Sequence, residues 1–307
     1  MFLMFPGQGS QKPGMAKDLA AAFPAAREVF ARADAALGAP LSTLCFEGPA
    51  EELTLTHNAQ PALLAHGAAV WAVVKDHVRA KVVGAAGHSL GEFSAYHAAG
   101  ALPLEDAVRL VRRRGELMYE TGVQVPGAMA AILGTLARPI EELCAEASAQ
   151  GVVVPANYNN VDQIVISGEV AAVEAAMELA KAAGAKRALR LQVSGAFHSP
   201  LMQPAQAGLG AALSAAQWRA PEVPVWSNVT AEAVGDAATA RELLLQQLTS
   251  PVRWVEVVRH VAARFPGTTF VEMGPGAVLS GLVKRLAPDC TAVTCGTVAE
   301  VEQLLAR

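Results

Sequence analysis

Charge is scarce in this 307-residue chain. Asp, Glu, Lys and Arg together make up 17%, and the formal net charge is only -4. No basic tract is present, which argues against non-specific binding to nucleic acid; an acidic partner would have to find a local basic patch. Cysteine is sparse as well. Cys45, Cys144, Cys290 and Cys295 show no C-x-x-C spacing and no paired framework, so they read as reduced, mostly buried thiols of a cytoplasmic protein. No H-E-x-x-H motif or Cys/His cluster occurs, and no metal is expected. Uninterrupted apolar runs are missing too. Residues 191–218 carry no charged side chain, but Gln, Ser, His, Pro and Gly break them throughout, which excludes a membrane span there. Met1–Phe5 has no basic flank and runs straight into Pro6-Gly7, so it does not read as a signal peptide. What remains is 52% hydrophobic, enough for one large domain or two unequal ones.

One stretch organises the rest. Lys81–Ala85 reads as a short buried strand, Gly87-His88-Ser89-Leu90-Gly91-Glu92 follows, and Phe93–Ala99 reads as a helix that stops at Gly100. Strand, G-x-S-x-G and helix together form the context of a nucleophile elbow. Such a turn holds a serine in a strained conformation at a helix N-terminus, where backbone N–H groups face a developing oxyanion.

Around the elbow the pattern alternates between strands and helices. Phe2–Phe5 predicts a central strand ending in the loop Pro6-Gly7-Gln8-Gly9-Ser10-Gln11, which lacks the spacing of a nucleotide-binding loop. Pro24 opens a helix with Phe30, Ala33 and Leu37 on one face and Gly38 as its stop. A second helix starts near Asn58–Pro61, and a third follows Pro103 with the stripe Ala107, Leu110, Val111, Leu117 and Met118. Residues 125–194 read as a separate unit. Strands at 127–133, 152–156, 163–167 and 187–193 and helices at 139–150 and 170–183 give β-α-β-β-α-β, the ferredoxin-like order. Beyond it come strands at 225–229, 268–273 and 291–295, and a last helix capped by Thr297 and Glu300. The bulk of the chain is therefore α/β with a mostly parallel sheet.

A serine nucleophile needs a base. Of the seven histidines, His66, His77 and His260 lie on ordinary helices, and His88 and His97 flank Ser89 on an elbow that turns neighbouring side chains away. His198 sits in the loop Ser194–Pro200 at the junction of the two units, with a structural role as its alternative. No acidic third member is evident. Arg114 falls at the centre of the third helix's apolar stripe, where a guanidinium is costly unless it meets an anion, snorkels past the core edge or pairs with a structural carboxylate.

Pro6–Gln11, Gly87–Glu92, Arg114-Gly115, Gly127–Ala131, Gly195–Ser199, Gln247–Val252 and Glu272–Gly276, taken in order across nearly the whole chain, resemble the malonyl-CoA:acyl carrier protein transacylase family. The resemblance implies an α/β-hydrolase-like catalytic domain, residues 1–124 and 195–307, interrupted by a small ferredoxin-like domain, 125–194. It implies Ser89 as the acyl-accepting nucleophile and His198 as base and acid. It implies Gln247 as the residue whose carbonyl orients that histidine, and the N–H groups of Gln8 and Leu90 as the oxyanion hole. Arg114 matches the arginine that pairs with the malonyl carboxylate, and Asn157 and Asn159 fall in a segment near the family's cleft. The pattern Ala196-Phe197-His198 resembles malonyl-selective members, with Ala196 where stand-alone members often carry proline.

The activity so implied is malonyl transfer from malonyl-CoA to acyl carrier protein in fatty acid biosynthesis. Coenzyme A thioester is then the substrate and no cofactor is needed; the expected state is a cytoplasmic monomer that binds neither nucleic acid nor membrane. The alternatives are a trans-acting acyltransferase of a specialised polyketide pathway, a serine esterase or thioesterase, and an idle interaction domain of a larger synthase. Intact Ser89, His198 and Arg114 argue against the last. The carrier is expected to be acidic, with Lys181, Lys186, Arg187, Arg190, Arg112 and Arg113 as docking candidates.

Overall fold

The computed structural model describes residues 1–306. Its strands, in chain order, are β1 (Phe2–Phe5), β2 (Gly84–Gly87), β3 (Ala128–Leu133), β4 (Val153–Asn160), β5 (Gln163–Gly168), β6 (Arg187–Arg190), β7 (Val225–Trp226), β8 (Ala233–Val234), β9 (Thr269–Met273) and β10 (Thr291–Cys295). Two sheets form. The larger has the order β10-β9-β1-β2-β7-β8, parallel throughout except for the β7–β8 edge, which is antiparallel. The mostly parallel α/β reading therefore holds.

The residues of β1 explain the layering. Side chains alternate across a strand, so Leu3 and Phe5 join one buried cluster while Phe2 and Met4 join another. Helices cover both faces. On one side lie Pro24–Leu37, Thr56–Val78 and Leu104–Gln124; on the other lie Trp254–Arg264 and Val278–Leu286. Pro24 occupies the start of its helix, and Gly38, with φ 61°, ends it as expected. Thr297 and Glu300 form the expected capping box.

The second sheet, β4-β5-β3-β6, is antiparallel at every pairing. Ala128, Ala130 and Ile132 of β3 pack on the helices Ile140–Ala147 and Val170–Ala182. Met129, on the opposite face, joins the core of the larger body.

Several boundaries differ from those read off the sequence. The elbow strand is Gly84–Gly87, not 81–85; Arg79–Lys81 is a 3₁₀ turn. Gly-Ala-Ala-Gly is a poor strand former by propensity, but β2 lies between β1 and β7, where a Cβ on Gly84 would meet the Trp226 ring and one on Gly87 the Gly91–Glu92 backbone, so neither end accepts a side chain. β4 runs on through Asn157–Asn160, read above as a connection, because two register shifts keep it paired with β5 while Ala156 and Tyr158 exchange backbone hydrogen bonds with Val252. β6 stops at Arg190, where residues 191–193 turn to line a cleft. The helices Thr56–Val78 and Leu104–Gln124 start within a few residues of their expected positions, whereas β8 and the helix Gln203–Ala215 carried no strong signal.

A Cβ on Gly91 would stand 2.2 Å from the Phe5 carbonyl oxygen. Gly91→Ala is accordingly expected to destabilise the protein by about 1–3 kcal/mol or more. Gly281→Ala, in a helix with open space around the new methyl, is expected to stabilise it by up to about 1 kcal/mol. Denaturant unfolding of both variants against the parent checks the pair.

Candidate active site

β2 ends at Gly87, and the helix Gly91–Ala98 begins four residues later. The turn between them holds Ser89 at φ 52°, in the left-handed region. A non-glycine residue there costs of order 1–3 kcal/mol and persists only where its surroundings impose it. The imposition is visible. Ser89 N–H donates to Asn228 Oδ1 (2.7 Å), Ser89 C=O accepts from Gln247 Nε2 (3.0 Å), and Asn228 Nδ2 donates to the Gly87 carbonyl (2.7 Å).

His198, also left-handed at φ 57°, points Nε2 at Ser89 Oγ from 2.8 Å. Its Nδ1 lies 2.9 Å from the Gln247 carbonyl and 3.1 Å from the Ser250 carbonyl. Two carbonyls can only accept, so the proton resides on Nδ1 and Nε2 is the free base. Burial, with the Arg114 charge adding to it, pushes His198 down to about 3. The ring is therefore neutral and ready to take the serine proton across the physiological range.

Arg114 reaches the same oxygen. It is 1% exposed; Nη2 donates to Ser89 Oγ (3.0 Å) and Gln247 Oε1 (2.9 Å), and Nη1 donates to Gln60 Oε1 (2.8 Å). Its Nε has no partner. Burial lowers it to about 10 against the pull of Glu92, which leaves it a cation at neutral pH. Ser89 Oγ thus sits between a bare imidazole nitrogen and a fixed positive charge. That arrangement favours loss of the hydroxyl proton toward His198.

The two groups open onto a cavity of about 310 Å³, to whose wall Gln8, Leu90, Asn157 and Phe197 also contribute. Of the two asparagines, Asn157 faces this cavity, whereas Asn159 lies 2.7 Å from His88 Nε2 and ties β4 to the elbow. The carbonyl Oδ1 of Asn157 is buried without a partner.

A family model, the acyl transferase domain, matches residues 2–299. The malonyl CoA-acyl carrier protein transacylase of Bacillus subtilis is 50% identical over 284 residues, covering 92% of this chain and 89% of its own. The Escherichia coli K12 protein of the same name is 45% identical over 289 residues, covering 94% and 93%. The chain belongs to the acyl transferase family. Among solved structures, an acyl-carrier-protein-S-malonyltransferase from Bartonella henselae superposes with a TM-score of 0.95 at 46% identity, covering 99% of both chains. A malonyl-transacylase solved in complex with its type II PKS acyl-carrier protein gives 0.93 at 42% identity, covering 99% of this chain and 98% of its own.

In this acyltransferase the residues singled out as base and cation both meet Ser89 Oγ, and Gln247 holds the two of them, through its backbone carbonyl and its side-chain oxygen. Two others in the assembly, Gln60 and Asn228, carried no sequence signal, and Glu92 stood in the elbow motif without a role. Each is a fully buried polar residue whose partners come from distant parts of the chain. The two groups that hold His198 Nδ1 are backbone carbonyls; the resemblance implied that of Gln247, and that of Ser250 carried no signal.

Because His198 is held far below the ordinary imidazole value of about 6.5, kcat/KM for acyl loading is expected to stay within about threefold between roughly pH 7.5 and 5.5, since this ratio reports the free enzyme. An ordinary histidine base would cost about tenfold over that span. Rapid-quench measurement of adduct formation across pH distinguishes the two.

Proposed function

We propose that this chain transfers the malonyl group of malonyl-CoA to the pantetheine thiol of acyl carrier protein in fatty acid biosynthesis, through a malonyl ester of Ser89. The observation that carries this reading is the sharing of Ser89 Oγ by His198 Nε2 and Arg114 Nη2. The histidine supports nucleophilic attack on a thioester. The arginine, buried on an apolar helix face, supports an acyl group that bears its own carboxylate.

In the first half-reaction His198 takes the Ser89 proton as Oγ attacks the thioester carbonyl, and the N–H groups of Gln8 and Leu90 receive the oxyanion. Coenzyme A leaves with the proton from His198. In the second, His198 deprotonates the carrier thiol, which attacks the malonyl ester and regenerates Ser89. An esterase has no use for a cation beside its nucleophile, and the Arg114 position argues against that alternative. A polyketide role draws on the relative solved with a type II PKS carrier; the site chemistry is the same, and the carrier decides between them. The chain is read as a cytoplasmic monomer. Among the described residues no helix is long and apolar enough to cross a membrane.

The antiparallel sheet supports an inserted ferredoxin-like domain at 125–194, within an α/β-hydrolase-like domain at 1–124 and 195–307. Its element sequence β3, helix, β4, β5, helix, β6 and its order β4-β5-β3-β6 fit that description. Of the docking candidates, Lys181 and Arg190 are engaged by Glu178 and Glu174, Arg113 by Glu116 and Glu120, and Arg112 by Asn58. Lys186 and Arg187 are exposed and have no ion-pair partner among the described residues. They are the foremost docking cations.

Ser89→Ala is expected to abolish both the malonyl adduct and transfer, read by intact-protein mass spectrometry; an adduct formed at the parent rate would remove Ser89 from its role. Arg114→Ala is expected to lower malonyl loading by about 10²-fold or more, as truncating one side of a sheltered charge pair costs about 2–5 kcal/mol. Acetyl loading should fall by less than about tenfold, and kcat/KM for both substrates tests this. Charge reversal at Lys186 and Arg187 should raise KM for the carrier, spare loading by malonyl-CoA, and lose its effect at high salt.

A further inference from the structure

Glu92 is the second residue of the helix Gly91–Ala98 and is completely buried. No step of the reaction above uses it. Its Oε2 accepts two hydrogen bonds, from the Asn228 backbone N–H (3.0 Å) and from Gln247 Nε2 (2.8 Å), while Oε1 has no partner. Each donor residue is itself a hub. Asn228 holds the Ser89 N–H and the Gly87 carbonyl through its side chain. Gln247 holds the Ser89 carbonyl and Arg114 through its amide, and His198 through its backbone oxygen. One carboxylate oxygen therefore anchors both residues that set the serine, the cation and the base.

The orientation of the Gln247 amide is where this anchor acts on chemistry. The two ends of an amide have nearly the same shape and opposite hydrogen-bonding character. With Nε2 turned to Glu92 Oε2 and the Ser89 carbonyl, Oε1 is turned to Arg114. The reversed amide would press its oxygen against two acceptors and its N–H groups against a guanidinium. Two acceptors on one side and a cation on the other leave a single orientation.

We propose that Glu92 is a positioning residue. Through Oε2 it locks the Gln247 amide with its oxygen toward Arg114, and so aligns the guanidinium for the acyl carboxylate while steadying the histidine by way of the same residue. The inference rests on the malonyl-transfer reading above. The lock requires an acceptor, not a charge, since a carboxylic acid keeps one oxygen free to accept. Burial raises Glu92 to about 7, opposed by the Asn228 and Gln247 hydrogen bonds and by Arg114, and the acceptor is present on either side of that value. A glutamine at this position would supply the same acceptor.

The test compares kcat/KM for loading from malonyl-CoA and from acetyl-CoA in the parent, Glu92→Ala and Glu92→Gln. Acetyl loading uses the histidine and the Arg114 field at Ser89 Oγ, whereas malonyl loading also needs the guanidinium aligned with the acyl carboxylate. Glu92→Ala is expected to lower acetyl loading about tenfold and malonyl loading about 100-fold, the span that one charge-assisted hydrogen bond covers, so the malonyl-to-acetyl ratio falls about tenfold. Glu92→Gln should keep the ratio within about threefold of the parent. A residue that only supports the fold would reduce the amount of active protein and lower both substrates equally. Equal losses in Glu92→Ala overturn the proposal, and so does a Gln variant whose ratio has dropped tenfold. Should the alanine variant not fold, Glu92→Met, which fills the space without an oxygen acceptor, carries the same comparison. If Ser89 of the parent loads malonyl and the ratio stays fixed in these variants, this inference alone fails; if the parent does not load malonyl, the underlying reading fails with it.

Discussion

A guanidinium enclosed in protein must be met by acceptors, because no water reaches it to replace them. Arg114 lies in the middle of an apolar helix face, and the surrounding chain is arranged to answer that demand. Gln60 comes from the neighbouring helix, Gln247 from the turn after a helix more than a hundred residues later, and Ser89 from the elbow. None of these three carries a full charge, and Glu92 acts on the arginine from beyond Gln247, so no carboxylate is hydrogen-bonded to the guanidinium itself. A cation held in that way keeps its field directed at Ser89 Oγ and at whatever anion enters the cavity. The same field, added to burial, keeps His198 unprotonated. Charge, base and nucleophile are in this sense one electrostatic unit.

Backbone strain is the second constraint, and it depends on the first sheet. Ser89 and His198 both occupy left-handed conformations, which are held only by surroundings that allow no alternative. At the elbow these are the close seating of Gly91 on the Phe5 carbonyl and of Gly87 on the following turn, together with the Asn228 and Gln247 hydrogen bonds to the Ser89 peptide groups. At His198 they are the carbonyls of Gln247 and Ser250. Two residues further on, Val252 exchanges backbone hydrogen bonds with β4. The smaller sheet is thereby attached to the segment that orients the base, and His88 with Asn159 makes a second attachment at the elbow.

Local signals in the chain proved dependable where a single residue has one physical use. Pro24 and Gly38 bound a helix, Thr297 and Glu300 cap another, and Ser89 between glycines marks a turn. The misplaced strand at 81–85 shows the opposite case. β-branched Val82 and Val83 suggested a strand, yet the ladder runs through Gly-Ala-Ala-Gly, where Trp226 at Gly84 and the backbone of the following helix at Gly87 leave no room for a side chain. The Asn157–Asn160 run failed for a related reason. Asparagine disfavours strands on average, but pairing with β5 on one side and Val252 on the other satisfies its backbone groups.

The sequence by itself determined the class of fold, the elbow, and the conflict posed by an arginine in an apolar stripe, because periodicity and turn chemistry act over a few neighbouring residues. Only the tertiary structure decided how the conflict is resolved. Asn228 meets Ser89 across 139 positions, Gln247 meets Arg114 across 133, and Glu92 meets Gln247 across 155. Hydrogen bonds between groups so far apart in the chain leave no spacing to read. Their partners are common polar residues whose meaning comes from being buried together. Of the two backbone carbonyls that hold His198, the motif around Gln247 implied one and nothing implied that of Ser250. A backbone carbonyl has no side-chain identity, so the imidazole is oriented only once the fold has brought both peptide groups to it.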